Sequence, residues 1–421
     1  MDNLPLSGIK VLDLTLVLAG PTCGRTLAQY GAEVIKIDPD HRIPGLTPWI
    51  DVGRGKKSIC LNITKKGGLE AFLKLAETAD VIIEGFRKGV TDRLGIGYTE
   101  LKKKNPKIVY ASINCFGQSG PWSLRPGFEQ NAQAATGIQV RNSGGISYYP
   151  RTATYTLNDY GTGLAAAYAV ILALIERQKT GKGQRVEAAL TYTSANLSGG
   201  FHTFNDEYNH KQNTNDFHSG RINRFPADKP GAVRRGGRQP GLKGTNMFNR
   251  LYETKNGWLF LSAPISYQVK MMIPMAGYLN NVPEFSHIAE LAHTSFAGMT
   301  DKDPEEEMYK IFLTQTTEYW INLLHKHGIE AVKNTSSEEI FNDEYNHERK
   351  MIMRQDYENW GTVTWSGNPV SINSNEPFNV SPPQFGEHTF DVLKDVGISE
   401  NEIKNLIESG AIPETVPINL K

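Results

Sequence analysis

Short apolar runs and amphipathic segments alternate over roughly the first 190 residues. IKVLDLTLVLAG (Ile9 to Gly20) is aliphatic and β-branched and stops at a Gly-Pro, the pattern of a strand entering a turn. PTCGRTLAQYGA continues as a helix, with Pro21 tolerated in the first turn. EVIKID (Glu33 to Asp38) reads as the next strand. In TKKGGLEAFLKLAETAD, Leu69, Phe72, Leu73 and Ala76 fall at i, i+3, i+4 and i+7, which predicts an amphipathic helix. VIIEGF (Val81 to Phe86) and KIVYASINCFG (Lys107 to Gly117) are strands, with a short helix near YTELKKKN between them. An apolar helix over Leu164 to Glu176 and the strand QRVEAAL (Gln184 to Leu190) follow. Strands alternating with helices predict an α/β fold with a mainly parallel sheet covered on both faces.

The pattern lapses from residue 202 to about 245. That stretch is polar and rich in Gly, Asn and Arg, with eight basic residues between Lys211 and Lys243 against two acidic ones. A structureless run this long is unusual inside a domain, so it reads as a linker, a lid or an inter-subunit arm. RLYETKNGWLFLSA (Arg250 to Ala263) predicts a hairpin turning at Asn256-Gly257 and opens a second, smaller α+β unit. FGEHTFDVLKDVGISENEIKNLIESGAI predicts two short helices, the second with Ser399 and Glu402 at capping-box spacing. FNDEYNH occurs at Phe204–His210 and again at Phe341–His347. The flanks differ, so this is no repeat architecture, and its histidines lack the spacing of metal ligands.

Composition narrows the classes. The chain has 421 residues, enough for two or three domains, and 45 basic residues balance 45 acidic ones, which argues against a nucleic-acid partner. Cys23, Cys60 and Cys115 are far apart and odd in number, so neither a disulfide framework nor a zinc site is indicated, and a reducing cytoplasm fits. MDNLPLSGIKVLD has no basic region followed by an apolar run, and Leu164 to Ile175 is too short to span a membrane.

Four features could carry chemistry. The strand–turn–helix–strand layout ending at Asp38 is that of a dinucleotide site, with Asp38 as a ribose ligand or simply a solvated strand end. The turn VLAGPTCG is not G-x-G-x-x-G, however, and Pro21 stands where a pyrophosphate would approach. Asp159 precedes the apolar helix. The plain reading is a helix cap. The sharper one is a nucleophile, kept ionised by the helix N-terminus, with Gly161 and Gly163 allowing close approach to the backbone. VRRGGRQPG (Val233 to Gly241) is either a flexible linker or a loop whose amides cover a reactive intermediate. Glu129, in RPGFEQ, could position substrate or transfer a proton, or merely end a helix. Arg54, Lys56, Lys57, Arg87, Lys88 and Arg93 lie near strand ends and could meet phosphates.

Together, LSGIKVLDLTLVLAGPTCGRTLAQYGAEVIKID, RGKKSICLNITKKGG, ADVIIEGFRKGVTDRLGIGYTELKKKNPKIVYASINCFGQSGPW, DYGTG, LIERQKTGKGQRVEAAL, RLYETKNGWLFL and FGEHTFDVLKDVG resemble the class III coenzyme A transferases. That family includes formyl-CoA transferase, carnitine CoA-transferase and α-methylacyl-CoA racemase. The resemblance implies a Rossmann-like large domain plus a smaller α+β domain, in a ring-shaped chain that forms an interlocked homodimer. Residues 1–200 would be the CoA-binding part of the large domain, 201–224 a linker and 225–335 the small domain. Residues 336–421 would be a linker and the part completing the large domain. Acyl-CoA and a carboxylic acid would be the substrates, with no tightly bound cofactor.

By the same resemblance Asp159 is the nucleophile, Gly236 and Gly237 form the loop that closes over it, and Glu129 assists. CoA contacts fall to Val17, Leu18, Ala19, Asp38, Pro39, Leu61, Thr64, Gly85, Phe86, Arg87, Arg93 and Arg125. The racemase branch uses a histidine paired with an aspartate. Here Phe128 fills the histidine's place and no His lies between His41 and His202, which favours transfer over racemisation.

Overall fold

The β-branched runs of the N-terminal half fold as β1 (Lys10–Asp13), β2 (Glu33–Asp38), β3 (Lys56–Cys60), β4 (Val81–Glu84), β5 (Val109–Asn114) and β6 (Arg185–Ala189) in the computed structural model. Between them run α1 (Ala19–Gln29), α2 (Leu46–Val52), α3 (Lys66–Thr78), α4 (Val90–Arg93), α5 (Tyr98–Lys104), α6 (Glu129–Ala135) and α7 (Leu157–Thr180); α8 (Leu190–Leu197) follows β6. The structure describes residues 4–42, 45–139, 152–198, 244–262, 281–288, 291, 304–370, 372 and 380–417. The chain divides into one unit of Met1–Ile138, Thr152–His202 and Glu344–Lys421, and a second of Gln139–Arg151 and Thr203–Asp343.

In the first unit these six strands form a parallel sheet in the order β3-β2-β1-β4-β5-β6, and Ile352–Tyr357 pairs with Gly361–Ser366 as a separate antiparallel hairpin. The two-residue period sends alternate side chains to opposite faces. Leu12, Ile35, Ile82 and Tyr110 join a core with Phe72 and Leu75 of α3 and with Val392, Leu393, Ile403 and Leu406 near the C-terminus. Val11, Val34, Val81 and Val109 join the other core, with Cys23 and Leu27 of α1 and Ala166 and Val170 of α7. Ser399 caps the helix Glu400–Glu408, accepting from Glu402 N while Glu402 reaches back.

Among the elements that differ from expectation, two bear on the site. β3 was not anticipated, because KKSIC shows little apolar alternation; its first residue, Lys56, is nonetheless fully buried. α7 is longer than its apolar centre suggests. It runs 24 residues, which corrects the length argument: by length and composition this helix could cross a membrane. Its inner side packs in the core through Ala166, Val170 and Ala173, while Leu164, Tyr168, Leu172 and Ile175 lie exposed on the other side.

In the second unit β7 (Gly244–Asn246), β8 (Asn249–Thr254), β9 (Gly257–Ser262) and β10 (Glu330–Lys333) form an antiparallel sheet in the order β10-β9-β8-β7. The β8–β9 turn is Lys255–Asn256, one residue earlier than expected, since Thr254 pairs with Gly257. Asn256 Oδ1 there accepts from Thr317 N at 2.8 Å, which ties the turn to the helix Thr317–Lys326. Tyr252, Leu259, Phe285, Phe312 and Trp320 form this unit's core.

Candidate active site

The strand order reverses direction between β1 and β4. In an open parallel sheet the crevice outside the carboxyl ends of the strands at such a switch is where ligands bind. Val17, Leu18 and Ala19 follow β1 there, Asp38 ends β2 with Pro39 after it, Leu61 and Thr64 follow β3, and Gly85, Phe86 and Arg87 follow β4. Arg125 lies on the loop after β5, 5.4 Å from the centre of the Trp122 ring. The N-terminus of α7 reaches the same edge, because α7 returns the chain to the start of β6.

The β1–α1 turn is built by Asp13. Its Oδ1 accepts from Thr15 N at 2.9 Å and from Thr15 Oγ1, and its Oδ2 accepts from Lys56 Nζ at 2.8 Å. Two residues on, Val17 takes a φ of 66°, a left-handed conformation costly for a β-branched side chain, and stands exposed in the crevice. The glycines of this turn serve the protein rather than a pyrophosphate. A Cβ on Gly20 would fall 2.2 Å from Thr15 Cβ, and one on Gly24 would fall 2.6 Å from Asp13 Oδ2.

Several expectations for charged residues are corrected. Lys56 meets no phosphate: it is fully buried against Asp13 and also donates to Pro21 O. Arg54 is buried against Asp51, and Lys57 pairs with Glu33 at 2.6 Å. Asp38 is not a solvated strand end. Its side chain is fully buried, 2.5 Å from Lys36 Nζ, and burial pushes its carboxyl up against the pull of Lys36. The Leu61 side chain likewise lies in the core, whereas Thr64, Gly85, Arg87 and Arg93 are exposed. Arg42, which sequence reading passed over, stands 5.6 Å above the Phe86 ring. Gly236 and Gly237 lie outside the described residues.

Asp159 is the third residue of α7, not its cap, and Thr156 at the cap position makes no side-chain capping bond. The cap comes from Glu129, the first residue of α6. Glu129 Oε2 accepts from Asp159 N at 2.7 Å, and Oε1 accepts from Asn158 N at 3.3 Å. Oε1 also accepts from Asn158 Nδ2 at 3.0 Å and Gln133 Nε2 at 2.7 Å. Gln133 Oε1 then takes Ala153 N, so the chain just before α7 is held too. Asn158 and Gln133 were not singled out beforehand; Gln133 stands four residues after Glu129 on one helix face, a spacing that could have flagged it.

This arrangement reverses the expectation that Asp159 stays ionised. The free N–H groups of the helix start go to Glu129, so they do not stabilise the neighbouring carboxylate. Asp159 is 8 % exposed, and burial together with the charge of Glu129 pushes its carboxyl up to about 7. Cys115 lies beside the pair. Burial, then Asp159 and Glu129, push its thiol up to about 12, so it stays protonated and unreactive.

Of the two glycines after Asp159, packing demands the second. A Cβ on Gly163 would fall 2.5 Å from Thr22 Cβ and 2.6 Å from Ala19 O, so this glycine lets α1 and α7 meet closely. On Gly161 it would fall 3.1 Å from Thr193 Cγ2 and 3.3 Å from Leu197 Cδ1. The site therefore offers a buried carboxyl of raised basicity, its backbone pinned by a second carboxylate, at the crevice of the parallel sheet.

A profile of the family described as CoA-transferase family III matches residues 6–389. The chain is 28 % identical to the succinyl-CoA–L-malate CoA-transferase beta subunit of Chloroflexus aurantiacus, over 96 % of this chain and 97 % of that one. It is 26 % identical to the alpha-methylacyl-CoA racemase of Mus musculus, over 95 % and 96 % of the two chains. Among solved structures, Rv3272 from M. tuberculosis superposes with a TM-score of 0.69 at 24 % identity, covering 92 % of this chain and 98 % of that one, and so shares the fold.

Proposed function

The chain belongs to CoA-transferase family III and is an enzyme, and on that premise we propose that it moves CoA between a donor acyl-CoA and an acceptor carboxylic acid, with Asp159 as nucleophile. The observation that carries this reading is the Glu129–Asp159 contact. It holds a carboxyl in place at the crevice, where burial and then the charge of Glu129 raise its basicity, and a more basic carboxylate attacks an acyl carbon better.

An Asp159 carboxylate oxygen attacks the thioester carbon, the C–S bond breaks, and an aspartyl-acyl anhydride and CoA thiolate result. The thiolate attacks the Asp159 carbonyl, the donor acid leaves as its carboxylate, and an aspartyl-CoA thioester forms. The acceptor carboxylate attacks that thioester and releases the thiolate, giving a second anhydride. The thiolate then attacks the acceptor's acyl carbon and frees Asp159. Water would hydrolyse each intermediate, so a closing loop that donates N–H groups is needed, and we assign it to Gly236 and Gly237. CoA lies along the strand ends, over the exposed Val17, Thr64, Gly85, Arg87, Arg93 and Arg125.

The protein acts as an interlocked homodimer with a CoA-binding large domain and a smaller domain, divided as read from the sequence. The exposed apolar residues Leu164, Tyr168, Leu172 and Ile175 on α7 support self-association. A cytoplasmic location agrees with the free cysteines Cys23, Cys60 and Cys115.

Racemisation is the second reading, favoured by the named racemase among the relatives. Against it, both Glu129 oxygens already accept N–H bonds, which suits a positioning group better than a proton shuttle. The test is incubation with a panel of acyl-CoAs and carboxylates, trapping with hydroxylamine, and mass spectrometry of the chain. The label should fall on Asp159, and Asp159→Ala should abolish exchange while CoA still binds. Deuterium entering the α-carbon from solvent without acyl exchange would select the racemase instead.

A further inference from the structure

The residue after Asp159 is held from a different side. Tyr160 Oη donates to Asp51 Oδ2 at 2.9 Å. Asp51 Oδ1 accepts from Arg25 Nη1 at 2.6 Å and from Arg54 Nη2 at 3.0 Å, and Arg54 Nε donates to Asp51 O at 3.0 Å. The Arg25 guanidinium lies 5.8 Å from the centre of the Tyr160 ring, and that of Arg54 lies 5.2 Å from the centre of the Trp365 ring. Arg25 belongs to α1, Asp51 to α2, Tyr160 to α7 and Trp365 to the hairpin Ile352–Tyr357/Gly361–Ser366. Residues distant in sequence thus meet on one carboxylate. Burial works to raise the Asp51 carboxyl, but Arg25 and then Arg54 outweigh it and hold it below the ordinary value. The acceptor is an anion at neutral pH, and its bond to the Tyr160 hydroxyl is charge-assisted and directional.

Successive side chains of an α-helix project about 100° apart around the axis. Glu129 grips the N–H groups of Asn158 and Asp159, which point along the axis, and holds the first turn from the side through the Asn158 amide alone. A side chain anchored to α2 one residue beyond Asp159 adds a second hold from a different side of the turn. We propose that Tyr160 is a positioning residue which, through its hydrogen bond to Asp51, sets the rotation of the first turn of α7 and so aims the Asp159 carboxylate at the reacting carbon. The inference rests on Asp159 being the nucleophile. Displacement of a reacting group by about 1 Å can cost on the order of 100-fold in rate, so the aim matters.

Tyr160→Phe removes the hydroxyl and keeps the ring beside Arg25. With the donor–acceptor pair that exchanges fastest in the panel above, kcat should fall by about tenfold or more while KM for the acyl-CoA stays within about twofold. The acid limb of the pH–rate profile should also move to lower pH, because a loosened first turn admits water to Asp159. Arg54→Lys, which keeps the charge but loses the two-pronged grip on residue 51, should shift both readouts the same way and serves if Tyr160→Phe folds poorly. A kcat within about twofold of wild type with an unmoved acid limb, in variants folded by circular dichroism, overturns the proposal. Asp159→Ala run alongside separates the two ideas. If it retains exchange, the nucleophile reading fails; if it abolishes exchange while both other variants behave as wild type, only the role of Tyr160 fails.

Discussion

Asp159 N donates to Glu129 Oε2 across 2.7 Å, joining two acidic residues thirty positions apart through a backbone hydrogen bond. One carboxylate caps the helix that the other rides on. The donor groups that would have kept Asp159 ionised are spent on Glu129, and burial, then the charge of Glu129, opposes ionisation of Asp159.

Stability should fall with rising pH on account of Asp159. Its carboxyl sits at about 7 in the folded chain against an ordinary 3.8. Between those values the folded chain holds a proton that the unfolded chain has released, so the burden is absent below about pH 4 and full above the folded value. The gap amounts to roughly 4 kcal/mol. Asp159→Asn should therefore match wild type near pH 4 and exceed it by several kcal/mol at pH 8, read from urea midpoints. A difference independent of pH would sink this account.

Glu129→Gln should lower both stability and exchange. Its amide NH2 must face a donor, because both oxygens of Glu129 accept N–H bonds, and we expect a loss of about 1–3 kcal/mol. With the charge gone, Asp159 should titrate below about 7, and the acid limb of the rate profile should shift downward. A pH–rate profile of the variant checks this; an unmoved limb would mean that burial alone raises Asp159.

Gly163→Ala and Gly161→Ala should differ in sign. The added methyl at 163 meets Thr22 and backbone of α1 well inside contact distance and should cost about 1–3 kcal/mol despite better helix propensity. At 161 it meets only the Thr193 and Leu197 methyl groups, and Leu197 is exposed and free to shift. There the propensity gain of up to about 1 kcal/mol should leave the protein unharmed or slightly more stable. Thermal midpoints of the two variants decide the point.

Much of the parallel sheet was legible, because β1, β2, β4 and β5 are short apolar runs whose alternate residues feed two cores. β3 was not, because Lys56 reads as surface charge until Asp13, 43 residues earlier, is seen to neutralise it. Asp159 and Glu129 each stood out locally, as acids at the start of helices. Their relationship did not, and neither did the Tyr160–Asp51 bond, which joins residues 109 apart.

By itself the amino-acid order determined most strands and helices of the N-terminal half and which acids lie at helix starts, since periodicity and end signals act over a few neighbouring residues. Tertiary structure alone decided what state those acids take. Burial and the approach of a second charge are set by packing between distant segments, and it is these that turned Asp159 from a carboxylate expected to stay ionised into a carboxyl of raised basicity.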